Sequence, residues 1–368
     1  MENEIKERLS SGLDKESNKD IILVTGGSGM IGRNVIAKLS QRYQCVGLDK
    51  IGNPHPQKNV ENINFDITST QSIREALGRV KYMYGSEIAS VIHLAAYYDF
   101  SGEPSPLYDK VTVKGTAALL RALQEFKVEQ FVFSSTNLVY KPTNPGEKID
   151  ENWPVEPAWD YPESKVETEK VLHYQRADIP VVILRLAGVY DDEGHSIPIS
   201  HQIQRIYERS LTSHLYSGDL LHGNAFVHLD DLTDALVKTV ENRSSLGKEI
   251  TINISEQETY SYEELQHELG KLIHGEEWET FEIPKPIAKA GAWVQDLVSD
   301  SFIKPWMIDR ADDHYELDIS RAEKLLNWHP KHSLKSTLPE IIKKLKEDPK
   351  AWYQEHDLKM PDEVEHSH

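Results

Sequence analysis

A tyrosine and a lysine four residues apart are the residues in this sequence whose types and spacing could do chemistry together. If their segment is helical, Tyr161 and Lys165 lie on one face, one turn apart. A neighbouring ammonium group favours the phenolate form of tyrosine, and a phenolate can take a proton from an alcohol. Because the chain holds 16 tyrosines, about one such spacing is expected by chance. The pair is meaningful only if the surrounding elements supply a cofactor and a partner hydroxyl.

The element that could supply a cofactor is a glycine-rich turn near the start of the chain. Residues 21–24 form a short apolar run typical of a buried strand, and a helical pattern through Val35, Ile36 and Leu39 follows the turn. Such a turn brings the backbone close to a pyrophosphate and directs a helix amino terminus at its charge. A dinucleotide site is therefore predicted, with a ligand-free glycine connection as the alternative. The glycines that fit the spacing are Gly27, Gly29 and Gly32 in one alignment and Gly26, Gly29 and Gly32 in another.

Acidic residues at the ends of the next two predicted strands could contact the adenosine half of a dinucleotide. The second strand ends at Asp49, whose carboxylate can accept hydrogen bonds from both ribose hydroxyls. The same carboxylate would repel a 2′-phosphate, which favours NAD over NADP, although Lys50 beside it weakens that preference. The third strand ends at Asp66 and Ile67, where a polar side chain could meet the adenine amino group. The alternative role for Asp66 is to cap the helix predicted over residues 72–84.

Small and hydroxyl-bearing residues follow the fourth and fifth predicted strands. The fourth strand starts at Ser90 and runs into Leu94, Ala95 and Ala96. Small side chains at the end of a strand let a flat cofactor lie close to the backbone. The fifth strand runs to Thr136, whose hydroxyl could contact a substrate or cap a turn. Strands and helices that alternate in this way predict a parallel sheet with helices on both faces.

Composition places the chain among soluble globular proteins. It has 368 residues, of which 39% are hydrophobic and 27% charged, and its formal net charge is -19. That charge makes nonspecific binding to nucleic acid or to an anionic membrane unfavourable. No stretch is apolar for long enough to span a bilayer, and the first residues are too polar for a signal peptide. A cytoplasmic protein is expected.

Residue types that often build metal or redox sites are interpreted as structural here, and no metal site is predicted. The single cysteine, Cys45, lies in an apolar run, so it predicts a buried thiol and excludes an internal disulfide. His93 has no partner at metal-ligand spacing, which favours a hydrogen-bonded core histidine. Residues 191–224 hold four histidines without zinc-ligand spacing. We expect this segment to be irregular and to help build a substrate lid, beside a loop over residues 141–158.

As an ordered set, these residues resemble the extended short-chain dehydrogenase/reductases, and within them the NAD-dependent epimerase/dehydratase family. Later landmarks agree with that family in order and spacing, and the resemblance spans about residues 20–345. The motifs that carry it are Thr25 to Gly32, Asp49, Asp66, His93 to Ala96, Ser134 to Thr136, Tyr161 to Lys165, Leu184-Arg185, Gly188 to Tyr190, Phe226 to Leu232 and Asp318 to Ala322.

The resemblance implies a Rossmann-type, doubly wound α/β fold with a smaller, mainly helical C-terminal substrate domain. Family members commonly pair through the helices after the fourth and fifth strands, which implies a homodimer acting on a small molecule. The implied domains are a polar extension over residues 1–19, an NAD-binding domain over 20–190 to which 225–255 return, a substrate-binding domain over 191–224 and 256–345, and a charged tail over 346–368.

The resemblance also implies roles for the site residues, with NAD as the cofactor. Tyr161 would remove or return the proton of a substrate hydroxyl, Lys165 would hold the nicotinamide ribose, and Thr136 would hydrogen-bond the substrate oxygen. Hydride would move between the substrate carbon and the nicotinamide. The residues placed against NAD, besides Tyr161 and Lys165, are Gly26, Gly29, Met30, Ile31, Gly32, Asp49, Asp66, Ile67, Leu94, Ala95 and Ala96.

The sequence leaves the substrate class open. Asn137 and Leu138 stand where sugar 4,6-dehydratases carry an acidic residue, so water elimination is not expected. Gly188 and Asn224 stand where sugar-nucleotide epimerases often have an asparagine and a phosphate-binding arginine. A sugar or nucleotide-sugar epimerase is slightly favoured over a 3β-hydroxysteroid-type or other carbonyl dehydrogenase. A noncatalytic NAD-sensing protein is the third hypothesis.

Overall fold

A seven-stranded parallel sheet forms the centre of the computed structural model, which describes residues 19–52, 57, 60–99, 101–298 and 303–361. The strands in chain order are β1 Ile21–Thr25, β2 Gln44–Asp49, β3 Glu61–Asn64, β4 Ser90–His93, β5 Phe131–Thr136, β6 Val181–Leu186 and β7 Glu249–Ile254. They cross the sheet in the order β7-β6-β5-β4-β1-β2-β3, and every neighbouring pair is parallel. The order reverses between β1 and β4, where open sheets of this kind bind their ligands.

Helices cover both faces of this sheet. Side chains of β1 alternate between the faces: Ile22 and Val24 pack with one apolar cluster, and Leu23 packs with the other. The predicted doubly wound α/β fold is therefore confirmed. The helices are α1 Met30–Leu39, α2 Thr70–Tyr84, a π-helix Tyr108–Val113 that runs into α3 Lys114–Leu123, α4 Asp160–Gln175, α5 Ile197–Tyr207, α6 Leu229–Glu241, α7 Tyr262–His274, α8 Lys285–Val298, α9 Pro305–Asp309, α10 Ser320–Leu326, α11 Leu334–Glu347 and α12 Pro349–Glu355.

A third apolar cluster lies outside the sheet and joins the later helices. Ile203 of α5, Leu269 of α7 and Ile341 of α11 belong to it. A short parallel pair, Gly188–Tyr190 with Phe226–His228, connects this region to the end of the sheet. The residues that the structure describes include no helix long and apolar enough to cross a membrane.

Two expectations for the C-terminal region differ from the structure. Residues 191–224 are not irregular throughout, because α5 runs through them with Ile199, Ile203 and Ile206 buried on one face. The predicted tail after residue 346 is partly a packed helix, since Trp352 and Tyr353 of α12 are buried in the third apolar cluster. In both segments, the few apolar residues that pack into the core stand among polar residues in the sequence, so the helices were not predicted. The predicted extension over residues 1–19 lies outside the described residues except for Lys19.

Gly32→Ala should destabilise the protein, because a Cβ there would overlap the carbonyl oxygen of Gly26 and lie 2.8 Å from Gly27 Cα. We expect a loss of about 1–3 kcal/mol in the free energy of unfolding, measured by urea denaturation. The matched control is Gly78→Ala, in the exposed middle of α2 with open space at the Cβ. That change should gain up to about 1 kcal/mol through helix propensity. Equal effects at both positions would contradict the packing argument.

Candidate active site

The three predicted catalytic residues come together at the carboxyl end of the sheet. Thr136 is the last residue of β5, and Tyr161 lies in the first turn of α4, where the following Pro162 is tolerated. Lys165 follows one turn later on the same helix. The Thr136 side chain lies near enough to the Tyr161 phenol to lower its pKa. Lys165 Nζ lies 5.7 Å from the centre of the tyrosine ring. The side chains of Thr136 and Lys165 therefore both lie close to Tyr161.

The amine of Lys165 is held in a buried position, with only 3% of the residue exposed. Nζ donates to the carbonyl oxygen of Ser134 at 2.7 Å and lies 5.0 Å from the ring centre of Phe133. Burial lowers the pKa of Lys165 to about 7, while the carboxylate of Glu169 acts in the opposite direction. The amine therefore loses part of its positive charge near neutral pH.

The phenol of Tyr161 is neutral at physiological pH in the protein alone. Burial raises the pKa of Tyr161 to about 12, and the nearby Thr136 side chain acts against this shift. Because Lys165 is only partly charged, it favours the phenolate less than the sequence spacing suggests. The Thr136 hydroxyl also accepts a hydrogen bond from Leu138 N at 3.3 Å, so it caps the short turn after β5 as well. The capping role considered for Thr136 is therefore confirmed, and its contact with a substrate stays a prediction.

A buried ion pair holds α4 against the sheet. Arg185 of β6 donates to both carboxylate oxygens of Glu169, at 3.1 Å from Nε and 2.6 Å from Nη2. Ser135 donates to the same carboxylate at 2.6 Å. Since Glu169 lies one turn beyond Lys165, the pair fixes the face of α4 that carries the lysine. The sequence offered Arg185 only as a landmark, because its partner becomes a neighbour only in the folded chain.

The glycine turn has the shape that a bound pyrophosphate requires. Gly26 has φ +70°, and a Cβ there would lie 3.0 Å from Ala95 N, so the turn packs directly on the chain after β4. Among the residues that the structure describes, no side chain caps α1 at Gly29. The first N–H groups of this helix can therefore meet a phosphate, and these residues fit a dinucleotide. The groups belong to Met30, Ile31 and Gly32.

Asp49 lies beside this turn at the end of β2. One carboxylate oxygen accepts from Ser28 N and the other from Ile51 N, both at 3.0 Å. The carboxylate is therefore fixed next to the glycine turn, where the sequence predicts contact with the adenosine ribose. Leu94, which the sequence also places against the cofactor, follows β4 and packs its backbone near Gly26.

Asp66 follows β3 and does not cap the next helix. Its carboxylate accepts from Thr68 Oγ1 at 2.7 Å and from Thr68 N at 2.9 Å, and Lys50 Nζ lies 3.4 Å away. Hydrogen bonds from Thr68 lower the pKa of Asp66. The cap of α2 is Ser69 instead, so the capping alternative for Asp66 is wrong. The side chain of Ile67 is buried in the core.

Two residues interpreted as structural are buried in the core. His93 Nδ1 lies 2.6 Å from Thr25 Oγ1, and Nε2 lies 2.8 Å from Thr116 Oγ1. Burial lowers the pKa of His93 to about 3, so the ring is neutral and links β1, β4 and α3. Cys45 is a buried free thiol, and burial raises its pKa to about 12. Both predictions are confirmed.

Aromatic residues that the sequence reasoning did not single out lie against Tyr161. The ring centre of Tyr98 is 5.1 Å from that of Tyr161, the ring of Trp159 is 5.5 Å away and that of Tyr108 is 6.4 Å away. One signal was available: Trp159 stands two residues before Tyr161 in the sequence. Aromatic rings therefore surround the Tyr161 side chain.

His228, Asp230 and His332 form a group of possible metal ligands in the described part of the chain, with one ligand atom of each within 4.8 Å of the others. His228 Nδ1 accepts from Asp230 N at 3.2 Å, as the cap of α6. A neutral imidazole that accepts at Nδ1 carries its proton on Nε2, so this ring offers no lone pair to a metal. His332 Nδ1 lies 3.1 Å from Asp231 Oδ2. The group serves to join α6 to the chain before α11.

Comparisons with known proteins agree with this geometry. The family model described as "NAD dependent epimerase/dehydratase family" matches residues 22–255. The dTDP-D-glucose 4,6-dehydratase of Bos taurus is 26% identical over 354 residues, covering 91% of this chain and 89% of the relative. A putative UDP-glucose 4-epimerase of Methanocaldococcus jannaschii is 27% identical over 346 residues, covering 89% and 98%. A 3-beta-hydroxysteroid dehydrogenase of Mycolicibacterium neoaurum is 25% identical over 223 residues, covering 56% and 57%.

A solved structure shares the fold. The UDP-glucose 4-epimerase of Thermotoga maritima, determined with UDP-glucose, superposes with a TM-score of 0.67 at 21% identity. The match covers 89% of this chain and 99% of that one. At this identity the likeness supports the fold alone.

Lys165→Met should stabilise the cofactor-free protein. The pKa of Lys165 is about 7 in the folded protein, against roughly 10.4 in an unfolded chain. Between these values the unfolded chain binds more protons, so wild-type stability rises with pH through this window. At about pH 7 the substitution should gain on the order of 3 kcal/mol in unfolding free energy, and the gain should shrink as the pH approaches 10.

The measurement is urea denaturation of both proteins at several pH values. Lys170→Met is the control, since Lys170 is exposed on the same helix and pairs with Glu167. Its change should be close to zero. A loss of stability in Lys165→Met would show that the bond to the Ser134 carbonyl outweighs the cost of burial.

Proposed function

Because this chain belongs to the NAD-dependent epimerase/dehydratase family, we propose that it transfers hydride between NAD and a secondary alcohol or ketone, with Tyr161 as the acid–base residue. The observation that carries this proposal is the cluster of Thr136, Tyr161 and Lys165 beside a glycine turn that fits a dinucleotide. Family membership makes the protein an NAD-dependent enzyme. The residue roles and the substrate class are the proposed part.

The chain's own residues would handle the proton and the orientation. NAD, when bound, supplies the hydride acceptor and a cationic ring. Tyr161 would accept the proton from the substrate hydroxyl during oxidation and return it during reduction. Thr136, whose side chain acts on the pKa of the phenol, would hold the same substrate oxygen. Lys165 would exchange its bond to the Ser134 carbonyl for a ribose hydroxyl of the cofactor.

The cofactor would lie along the carboxyl ends of β1, β2 and β4. The turn from Gly26 to Gly32 would hold the pyrophosphate, with Asp49 on the adenosine ribose and Asp66 near the adenine. Lys50 lies 3.4 Å from the Asp66 carboxylate, so its charge is already engaged rather than offered to a 2′-phosphate. This arrangement supports NAD over NADP.

Two substrate classes fit this chemistry, and relatives support each. A nucleotide-sugar epimerase is supported by the dehydratase and epimerase relatives, which match most of the chain. A carbonyl dehydrogenase is supported by the hydroxysteroid relative over a shorter stretch. Asn137 and Leu138 after Thr136 disfavour water elimination in either class. A noncatalytic NAD sensor is less well supported, because Tyr161 and Lys165 are both present, one turn apart on α4.

We propose a homodimer as the assembly and the cytoplasm as its location. Helices α3 and α4 are neighbours on one side of the sheet. They follow the fourth and fifth strands, as the pairing helices of the family do. The net charge of -19 suits a surface that repels nucleic acid and anionic membranes.

Tyr161→Phe should lower NAD-dependent turnover at least a hundredfold, since general acid–base catalysis contributes about 10²–10⁴ in rate. NADH formation is measured for alcohol oxidation, and chromatography follows the conversion of sugar nucleotides. Tyr174→Phe is the control, because Tyr174 lies on the same helix with 80% of its surface exposed. NAD binding should persist in both variants. Full turnover by Tyr161→Phe on any substrate would contradict the acid–base role proposed for Tyr161.

Asp49→Ser should lower the preference for NAD over NADP at least tenfold, as the ratio of the two kcat/KM values. The substitution removes the negative charge that repels a 2′-phosphate, and tenfold corresponds to about 1.4 kcal/mol. Asp178→Ser, in the exposed loop before β6, is the matched control at the opposite end of the strands. An unchanged ratio in Asp49→Ser would show that this carboxylate does not face the ribose.

A further inference from the structure

Aromatic rings from three separate segments meet above Tyr161. Tyr98 comes from the loop after β4, Trp159 from the residue before α4 and Trp306 from α9. The ring centre of Trp306 lies 4.9 Å from that of Trp159, which is itself 5.5 Å from Tyr161. We call Tyr98, Trp159 and Trp306 the aromatic wall. The wall begins at the proposed acid–base residue and extends to the C-terminal region.

The aromatic wall is fixed by contacts between distant parts of the chain. Trp306 Nε1 donates to the carbonyl oxygen of Ser101 at 2.7 Å. Gly102 has φ +75°, and a Cβ there would overlap the indole of Trp306. The loop after β4 therefore packs closely against α9. The rings are positioned by this joint rather than by their local sequence.

Several polar groups around the aromatic wall are already hydrogen-bonded within the protein. The indole N–H of Trp306 is bonded to Ser101, and the hydroxyl of Tyr108 donates to the carbonyl oxygen of Asp99 at 3.0 Å. The Asp99 carboxylate accepts from Ser101 N at 2.9 Å and from Tyr97 at 3.3 Å. These bonded groups are therefore less available to a substrate than the ring surfaces are.

Three basic side chains, two on α8 and one directly after α9, are paired with carboxylates. A diphosphate is bound best by charge-assisted donors, and these three cations are already engaged. Asn224 stands where sugar-nucleotide epimerases often have a phosphate-binding arginine, and a neutral amide binds a diphosphate less strongly than a cation does. The pairs are Lys285 with Asp312 at 2.5 Å, Lys289 with Asp309 at 2.5 Å and Arg310 with Asp313 at 3.8 Å.

We propose that the substrate carries its reacting carbon on a flat, apolar ring system that stacks on Trp159, with Tyr98 and Trp306 determining specificity. This proposal rests on the hydride transfer proposed at Tyr161. Aromatic pairs contribute about 0.5–1.5 kcal/mol beyond the area that they bury. Sugar hydroxyls facing the same rings would lose water without gaining partners. The aromatic wall therefore selects a flat alcohol or ketone over a sugar.

The test measures full-length protein with NAD on two substrate panels. One panel holds flat apolar secondary alcohols, such as a hydroxysteroid and a naphthyl ethanol, followed by NADH formation. The other holds UDP-glucose and dTDP-glucose, followed by chromatography. We expect turnover on the first panel. Trp159→Ala should raise the KM for those alcohols about tenfold or more, with a smaller change in kcat, and Trp159→Phe should restore most of the affinity.

Tyr174→Ala, an exposed aromatic residue on α4, is the matched control and should behave as wild type. Tyr98→Leu is a second variant that does not depend on the start of α4, because 51% of Tyr98 is exposed; it should also raise KM. Melting temperature and NAD binding report folding in each variant. Unchanged KM in folded Trp159→Ala and Tyr98→Leu would overturn the proposal.

The two panels separate this proposal from the proposed function. Turnover of nucleotide sugars without turnover of flat alcohols would leave hydride transfer at Tyr161 standing and overturn the role of the aromatic wall. If NAD binds but neither panel is turned over, the proposed function fails and the substrate proposal fails with it.

Discussion

The buried pair of Glu169 and Arg185 is the interaction on which the site depends most. Two charges out of water are tolerated only when their geometry satisfies both, and removing one partner of such a pair costs about 3–5 kcal/mol. Here the guanidinium bridges both carboxylate oxygens and also lies 4.6 Å from the ring centre of Tyr140. Tyr140 in turn donates to Asn253 of β7 at 2.7 Å. The helix that carries Tyr161 and Lys165 is thus fixed across the sheet.

Because this helix is fixed, burial determines the charge states of Tyr161 and Lys165. Burial moves the phenol of Tyr161 and the amine of Lys165 toward their neutral forms, with the pKa of one raised and that of the other lowered. A neutral phenol beside a partly charged amine gains most from a cationic ring placed next to it, because the low-polarity surroundings strengthen that interaction. Proton transfer would then be coupled to cofactor binding rather than built into the protein alone.

The sequence predicts features whose residues are consecutive. It does not predict contacts between residues that become neighbours only in the folded chain. The turn from Gly26 to Gly32 is predictable because strand, glycines and helix are consecutive, and burial of His93 follows from its place in an apolar run. The helix α5 was not predicted, since Ser200 and Gln202 lie among the isoleucines of its buried face. Contacts such as Trp306 with Ser101 join residues 205 positions apart, and no periodicity in the chain reports them.

The sequence is likewise more informative about the reaction than about the substrate. The elements that resemble the family most clearly are the glycine turn, the strand ends and the tyrosine–lysine pair, and all of them have proposed roles toward cofactor or proton. The aromatic wall is proposed to face the rest of the substrate, and Gly188 and Asn224 are positions where this chain departs from the pattern of sugar-nucleotide epimerases. Because a fold of this type can keep its chemistry while its loops change, the relatives inform the hydride step more strongly than the molecule on which it acts. The rings around Tyr161 are therefore the stronger evidence for what enters the site.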